Sequence, residues 1–263
     1  MDSKIKLLST DFDGTLFAEF ENPPIPYQLQ ELITGFQKRG GIWVINTGRD
    51  MSSLMETMAR ARVYIKPDHL ILVEREIYHH RDAQYVEHHS WNAACNKAHA
   101  ELFGLVRKDV PYLSEWVNKR FEKATIYEDL YSPFCFVAEK TAHAEEIHQF
   151  LDDYCKKVPH LTVVRNDVYA RFSHVAFNKG TALRELSGGL NIQPHEILAA
   201  GDHLNDLPML SGEHAKWLVS PSNAIDVVKT AVRKQNGHVS ELHCGHGVAE
   251  GIARFLGDAN YQQ

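Results

Sequence analysis

Short apolar runs that end at polar or glycine-containing turns alternate with helical segments at both ends of the chain. Five such runs are predicted as buried strands, at residues 5–10, 42–45, 69–73, 197–200 and 217–219. Five stretches with helical periodicity are predicted as helices, at residues 26–38, 52–58, 179–186, 224–232 and 248–256. Strands that alternate with helices form βαβ units, which build a parallel sheet. The alternation therefore predicts an α/β fold with a Rossmann-like parallel sheet as its core.

The alternation stops near Tyr78 and resumes after about Val175. Between these points, two mostly helical stretches are predicted, at residues 90–123 and 142–158. Four short strands are predicted around them, at residues 124–128, 134–137, 161–164 and 168–172. Paired strands with helices segregated between them indicate a small α+β domain. We therefore predict a core of residues 1–82 and 174–263, with an inserted domain at residues 83–173.

The overall charge narrows the range of partners. The 263 residues include 28 basic and 34 acidic ones, which gives a formal net charge of −6. A protein that binds duplexes usually has a basic face, so this balance argues against a nucleic-acid partner. The four cysteines form no Cys-x-x-Cys pair, which suits a reducing compartment. No run approaches the ~18 apolar residues of a membrane span. We expect a soluble cytoplasmic protein with no membrane partner.

The first predicted strand ends in the string Asp11-Phe12-Asp13-Gly14-Thr15. On a strand, carboxylates two residues apart point to the same side, although a bend at Gly14 could aim them differently. Clustered carboxylates repel one another and coexist comfortably around a cation. Hard oxygen ligands at a partly open site favour Mg²⁺. The alternative interpretation is an acidic turn that caps the following helix.

Three other polar segments follow predicted strands or open predicted helices. The segment Gly201-Asp202-His203-Leu204-Asn205-Asp206 offers two carboxylates and an amide, and its alternative interpretation is a helix cap. The segment Thr47-Gly48-Arg49 offers a hydroxyl, a backbone amide and a guanidinium, which suit a phosphate oxygen, although Thr-Gly also makes ordinary turns. Lys179-Gly180 opens a helix, where a lysine suits an anionic ligand or is a solvated surface residue.

Taken together, the four segments predict one site. Loops that follow the strands of an open α/β sheet cluster at its carboxyl edge, where ligands bind. Carboxylates, a lysine, a threonine and glycine-rich turns would then share one crevice. These groups fit phosphoryl transfer, because a carboxylate can attack phosphorus while Mg²⁺ and cationic groups offset the negative charge.

The order and spacing of the four segments resemble the motifs of the haloacid dehalogenase (HAD) superfamily phosphatases. The insertion between the second and third motifs resembles the cap domain of the type-II, Cof-like subgroup, and Glu76-Ile77-Tyr78 is similar to the sucrose-phosphatase branch. The resemblance implies that Asp11 is the nucleophile and an Mg²⁺ ligand. It implies that Asp13 acts as general acid and then base, with its backbone carbonyl on the metal. Asp202 would complete the protein's metal ligands.

The resemblance also assigns the surrounding residues. Lys179 would be catalytic and would hold the phosphoryl group. The implied phosphate- and substrate-binding residues are Gly14, Thr47, Gly48, Arg49 and Asn205. Thr15 would brace the loop, and Asp206 would orient Lys179 or a metal-bound water.

Two features depart from the resemblance or lie outside it. Many Cof-like relatives have Asn-Gly after the third strand, where this chain has Glu74-Arg75-Glu76, and His246-Gly247 replaces the more usual Asp-Gly. The 16 histidines invite a zinc hypothesis. However, the pairs His79-His80 and His88-His89 are adjacent, and adjacent side chains diverge on both strand and helix.

The sequence therefore predicts an Mg²⁺-dependent phosphatase of a small phosphorylated metabolite, with a sugar phosphate as the expected substrate. A cap would exclude bulk water and favour small substrates. Four cap residues are candidates for contact with the leaving group: Tyr131, Arg165, Tyr169 and Arg171. One alternative is a phosphotransferase or mutase that uses the same aspartyl-phosphate. The other is a non-catalytic binding module on the same fold.

Overall fold

The computed structural model describes residues 5–257, which form two compact units. The first unit contains the described residues up to Trp91 and from Lys179 onward, and the second unit is Asn92–Asn178. In chain order, the strands of the described residues are β1 (Leu7–Thr10), β2 (Ile42–Asn46), β3 (His69–Leu72), β4 (Glu76–Arg81), β5 (Gln84–Glu87), β6 (Thr125–Tyr127), β7 (Cys135–Val137), β8 (Leu161–Asn166), β9 (Tyr169–His174), β10 (Ile197–Ala200), β11 (Trp217–Ser220) and β12 (His238–Val239). The helices are α1 (Tyr27–Lys38), α2 (Met51–Arg60), α3 (His89–Val106), α4 (Val110–Arg120), α5 (Thr141–Cys155), α6 (Lys179–Gly189), α7 (Asp226–Lys234) and α8 (Cys244–Leu256).

The first unit is built on an eight-stranded sheet with the strand order β12-β11-β10-β1-β2-β3-β4-β5. The strands from β12 to β3 are parallel, and β4 and β5 add an antiparallel edge. The central strands β1 and β10 are buried along their whole length, which explains their nearly continuous apolar sequence. The predicted α/β fold with a central parallel sheet is confirmed.

Two apolar clusters cover the two faces of this sheet. Because successive side chains of a strand point to opposite faces, Leu8 packs into one cluster and Leu7 into the other. Residues of α1, α2 and α8 belong to the first cluster, and residues of α6 and α7 belong to the second. A sheet covered by helices on both faces leaves its carboxyl edge open for polar loops.

The hairpin of β4 and β5 was not predicted from the sequence. Its turn is formed by Asp82 (φ +48°) and Ala83 (φ +65°), and two left-handed residues in succession are typical of a tight hairpin turn. Turns with this conformation usually contain Asn-Gly. The pair Asp82-Ala83 therefore did not indicate a hairpin in the sequence. The hairpin extends the sheet of the first unit. Consequently the division between the units falls after Trp91 and after Asn178, whereas we predicted domain boundaries after residues 82 and 173.

Three histidines at this antiparallel edge form a hydrogen-bonded chain. His69 lies opposite His79 in the ladder, with their Nδ1 atoms 2.9 Å apart. His79 Nε2 is 2.9 Å from His88 Nδ1, and His88 Nε2 is 3.6 Å from a Glu185 carboxylate oxygen. These contacts can all form if His69 Nδ1 donates to His79 Nδ1, His79 Nε2 donates to His88 Nδ1, and His88 Nε2 faces Glu185. Burial, and then the neighbouring imidazole, lower the pKa of His69 to about 4, and burial also lowers the pKa of His79.

Replacing His69 with glutamine is expected to weaken the acid sensitivity of folding. The unfolded chain binds a proton at this position with the ordinary pKa of 6.5, and the folded protein does so only near 4. The free energy of unfolding therefore falls as the pH drops through this window, by at most about 1.4 kcal/mol per pH unit for one proton. Urea unfolding at neutral and acidic pH measures the difference, with His80→Gln as the control. An unchanged pH dependence in H69Q would contradict the prediction.

The second unit contains a four-stranded antiparallel sheet with the order β6-β7-β9-β8. One face of this sheet packs against α4 and α5 through an apolar cluster that includes Phe134, Phe136 and Phe172. Strand β8 shows the expected alternation, because Leu161, Val163 and Arg165 are buried and the residues between them are only partly covered. Its architecture is the antiparallel α+β arrangement expected from the sequence. Within residues 5–257, no helix has the length and apolar character needed to cross a membrane.

Candidate active site

The polar segments of the first unit meet at the carboxyl edge of its parallel sheet. Asp11 follows β1 directly, and its backbone N–H donates to the carbonyl of Ala200 at the end of β10 (2.9 Å). Thr47 follows β2 and donates its N–H to Ile71 of β3 (2.8 Å). Lys179 is the first residue of α6. The strand order places β1 between β2 and β10, which explains why loops distant in sequence lie together.

Lys179 is the cation of this site, and its side chain is fully buried. Its Nζ lies 2.6 Å from Asp11 Oδ1 and 2.6 Å from Asp206 Oδ1. Burial alone would lower the pKa of Lys179, but the two carboxylates raise it well above its ordinary value. The lysine therefore stays protonated. It compensates only part of the charge, because Asp202 also belongs to the cluster.

Three carboxylates could hold a metal ion in the first unit. Oxygen atoms of Asp11, Asp202 and Asp206 all lie within 4.8 Å of one another. Burial, and then repulsion from Asp206, raise the pKa of Asp11 well above its ordinary value and that of Asp202 to about 7. One lysine for three carboxylates, of which Asp11 and Asp206 are buried and Asp202 is half-buried, leaves a shortage of positive charge, so a divalent cation fits this set of donors.

The hydrogen bonds show which oxygens remain for a ligand. Asp206 uses Oδ1 for Lys179, and its Oδ2 accepts the backbone N–H groups of Asp202 and His203 (2.8 and 2.9 Å). Within residues 5–257, side-chain hydrogen bonds engage one oxygen of Asp11, from Lys179, and one oxygen of Asp202, from Thr15. The second oxygens of Asp11 and Asp202 are therefore the better metal ligands, and Asp206 orients the cluster.

The turn after Asp13 brings the first and fourth loops into contact. Gly14 has a φ of +72°, and a Cβ atom there would lie 2.6 Å from Asp202 Oδ2, so glycine fits on both counts. The Thr15 hydroxyl donates to Asp202 Oδ1 (2.8 Å), so its side chain joins the first loop to the fourth. The carbonyl of Gly14 accepts a hydrogen bond from the Asn223 side chain (2.7 Å).

Asp13 and Asp11 have different partners, Arg49 and Lys179 respectively, and both residues follow β1, which ends at Thr10. Its two carboxylate oxygens accept two hydrogen bonds from Arg49, both 2.7 Å long. Arg49 also donates to Ser53 and Thr57 of α2 (2.8 Å each), and its bond to Asp13 raises its own pKa. The structure thus places Arg49 as a clamp on Asp13, whereas the sequence predicted a contact with phosphate or substrate.

The remaining predicted residues lie on the second and fourth loops. Thr47 is buried, and its Oγ1 accepts the backbone N–H of Arg49 at 3.2 Å, with Gly48 between them. Asn205 is also buried, and its Nδ2 donates to Glu74 Oε1 at 3.1 Å. Among the described residues, no hydrogen-bond partner is found for Asn205 Oδ1.

Two residues of this edge had no role in the sequence prediction. Glu74 follows β3 as the second residue of its loop, and Asn223 lies in the loop after β11. Asn223 bridges Gly14 and the backbone N–H of Cys244, which it binds through Oδ1 at 2.8 Å. Asp11 and Thr47 were selected because they are polar residues just after parallel strands. The same criterion would have selected Glu74 and Asn223.

The fold and this edge define an α/β enzyme with an acidic, lysine-containing site. The sequence model of the haloacid dehalogenase-like hydrolase family matches residues 8–252. The chain therefore belongs to that family. The predicted superfamily and the hydrolase class are therefore confirmed.

Similar proteins carry phosphatase names. A protein of Haemophilus influenzae that is named as a phosphatase is 35% identical over 107 residues. These residues are 38% of this chain and 40% of that protein. The match therefore spans less than half of that relative. The 5-amino-6-(5-phospho-D-ribitylamino)uracil phosphatase of Bacillus subtilis is 24% identical over 266 residues, 97% of each chain. These relatives support the predicted enzyme class, a phosphoric monoester hydrolase.

Solved structures with the same fold cover nearly the whole chain. The sucrose-phosphatase of Synechocystis sp. PCC6803, solved with sucrose and phosphate, has a TM-score of 0.69 at 18% identity, covering 96% of this chain and 98% of that one. A HAD/COF-like hydrolase of Plasmodium vivax also has a TM-score of 0.69, at 17% identity, covering 98% of this chain and 97% of that one. At this identity the likeness shows the fold alone.

Proposed function

We propose that the protein is an Mg²⁺-dependent phosphatase that hydrolyses a small phosphate monoester through an aspartyl-phosphate on Asp11. The observation that carries this proposal is the buried cluster in which Lys179 binds Asp11 and Asp206 beside Asp202. A structural ion pair needs one carboxylate for one lysine. A surplus of buried carboxylates at the carboxyl edge of a parallel sheet is better explained by a site for a metal and a phosphoryl group.

In the first step, an Asp11 oxygen attacks phosphorus and the bond to the leaving oxygen breaks. Asp13 gives a proton to that oxygen, which leaves as an alcohol. Arg49 holds both oxygens of Asp13, so the carboxyl group is oriented before the substrate binds. Mg²⁺ held by Asp11, Asp202 and the backbone carbonyl of Asp13 would offset the repulsion between the carboxylates and the phosphoryl oxygens.

In the second step, Asp13 takes a proton from water, which attacks the aspartyl-phosphate. Asp13 can accept this proton because it gave its own to the leaving oxygen in the first step, and Arg49 holds its carboxyl group in place. Lys179 and Thr47 would hold the phosphoryl oxygens. The predicted amide contact from Gly14 fits less well, because its backbone N–H donates to the Phe17 carbonyl (2.9 Å). Hydrolysis releases inorganic phosphate and restores the Asp11 carboxylate for the next turnover.

A sugar or polyol phosphate is the substrate class that we propose. The sucrose-phosphatase and the ribitylaminouracil phosphatase named above are both, by name, phosphatases of molecules that carry several hydroxyl groups. We further propose that the second unit, Asn92–Asn178, is a cap that selects the leaving group. On its sheet, the Arg171 guanidinium lies 5.6 Å from the ring centre of Tyr169 and 6.0 Å from that of Tyr131. Arg165 fits this role less well, because it faces α5, with Glu145 at 3.6 Å.

The proposal is tested with a panel of phosphorylated sugars, polyols and other metabolites in the presence of Mg²⁺. We expect release of inorganic phosphate from at least one sugar or polyol phosphate and its loss when EDTA removes the metal. Competing acceptor alcohols separate hydrolysis from phosphotransfer, because a transferase would yield a new phosphate ester. The absence of turnover on the whole panel would favour the non-catalytic module instead.

A further inference from the structure

The corner after β3 is strained. Val73 has a φ of +44° and Glu74 a φ of +69°, so two successive residues with side chains lie in the left-handed region. This conformation is rare for a β-branched residue such as valine and costs free energy. The corner is fastened to the second loop, because Val73 N–H donates to Arg49 O (3.0 Å) and Glu74 N–H donates to Thr47 O (2.9 Å).

This corner brings the Glu74 carboxylate into the acidic site. Its side chain is buried, and its Oε1 accepts a hydrogen bond from Asn205 Nδ2 at 3.1 Å. A buried carboxylate beside an already acidic cluster is unfavourable on charge grounds alone, since like charges repel. The corner therefore uses a strained backbone to place a buried carboxylate against Asn205 and near Lys179, whose pKa it helps to raise.

The contact determines the orientation of the Asn205 amide. An asparagine amide can rotate by half a turn and exchange its oxygen and nitrogen, which have nearly the same size. A carboxylate accepts hydrogen bonds and donates none, so Glu74 selects the orientation in which Nδ2 faces it. In that orientation one amide N–H is engaged by Glu74. The second N–H and the Oδ1 atom, which is buried and lacks a partner among the described residues, are left for a ligand.

We propose that Glu74 is a positioning residue that fixes the amide of Asn205 for binding of the phosphoryl group. This role rests on the proposed phosphatase function and specifies one further residue of the same site. Glu74 does not touch the reacting atoms in this scheme. Its negative charge also helps to raise the pKa of Lys179, and its positioning role acts through Asn205. Its removal would let the amide rotate and present an oxygen where the phosphoryl group needs a donor.

A double-mutant cycle tests the role directly. Glu74→Ala is expected to lower kcat and to weaken the binding of inorganic phosphate, each by about 10- to 100-fold, the size expected for one hydrogen bond to a charged group. Glu74→Gln keeps an acceptor but adds a donor that the rotated amide could use, so its loss is expected to lie between wild type and Glu74→Ala. In an Asn205→Ala background, Glu74→Ala should cause no further loss. Glu76→Ala is the matched control, because Glu76 is a buried acid at the start of β4, two residues further on, and accepts from Tyr78 instead (2.9 Å).

Equal losses from Glu74→Ala with and without Asn205 would overturn the proposal, because they would indicate a merely structural role. Wild-type behaviour of E74A, or a loss of kcat in E76A as large as that in E74A, would overturn it as well. Calorimetric titration with inorganic phosphate and Mg²⁺ separates this test from the proposed function. If wild type binds phosphate but turns over no ester, the proposed function fails while the cycle still measures the Glu74–Asn205 coupling. If wild type neither binds phosphate nor turns over an ester, both proposals fail.

Discussion

Replacing Asp11 with asparagine is expected to reduce the turnover of p-nitrophenyl phosphate by at least about 10⁴-fold, because the amide cannot act as the nucleophile. The side chain keeps its shape, and its neutral amide suits a position where burial already raises the pKa of the carboxyl group. We therefore expect the variant to fold. Steady-state kinetics with Mg²⁺ and a thermal melt of the same preparation measure the two effects.

The stability of Asp11→Asn carries additional information. The substitution removes one negative charge from a cluster in which three carboxylates share one lysine. Without metal, the melting temperature should therefore equal or exceed that of wild type, and the increase caused by Mg²⁺ should become smaller. Asp153→Asn is a suitable control, because Asp153 is an exposed residue of the second unit. Activity of D11N within tenfold of wild type would contradict the proposed nucleophile.

Replacing Lys179 with methionine is expected to cause a large loss of stability at neutral pH. The side chain is fully buried, and its ammonium group lies 2.6 Å from each of two carboxylates. Methionine fills a similar volume but leaves Asp11 and Asp206 buried without a cation. Breaking a buried pair in this way costs about 3–5 kcal/mol. Urea unfolding of metal-free protein measures the loss, and activity should disappear in the same variant.

The pH dependence distinguishes this electrostatic effect from a packing defect. Without Lys179, the folded protein holds protons on the buried carboxyl groups more tightly than the unfolded chain does. Protonation therefore offsets part of the damage at acidic pH, and the free energy of unfolding falls as the pH rises towards neutral. Lys156→Met serves as the control, since Lys156 is exposed, and no measurable change is expected. An equal loss for K179M at acidic and neutral pH would indicate that packing alone is responsible.

The sequence predicted the fold where one physical pattern was strong. Buried parallel strands are nearly all apolar, so β1, β2 and β10 stood out between polar turns. The hairpin of β4 and β5 lies at the sheet edge and contains histidines, tyrosine and arginine, so it showed no such contrast. Its turn uses Asp82 and Ala83 in a conformation that glycine would have signalled more clearly.

The candidate site was predictable in its members and less so in its pairings. Asp11, Lys179 and Asp206 come together as the positions of their strands and helix suggest. The bond between Asp13 and Arg49 was not foreseen, because it depends on where β1 ends and on the path of a loop. Side chains in loops are positioned by tertiary contacts, for which the local sequence contains no periodic pattern.

Asn223 has a consequence for how the protein becomes active. Its side chain bonds to Gly14, which lies 209 positions before Asn223, and to Cys244 at the start of α8. Lys179 likewise reaches back 168 positions to Asp11. Contacts so distant in sequence form slowly, because a long loop must close before they contribute free energy. A nascent chain that has not yet released α8 therefore lacks the bond from Cys244 N–H that holds the Asn223 side chain, and the acidic cluster cannot form before Asp206 has been made.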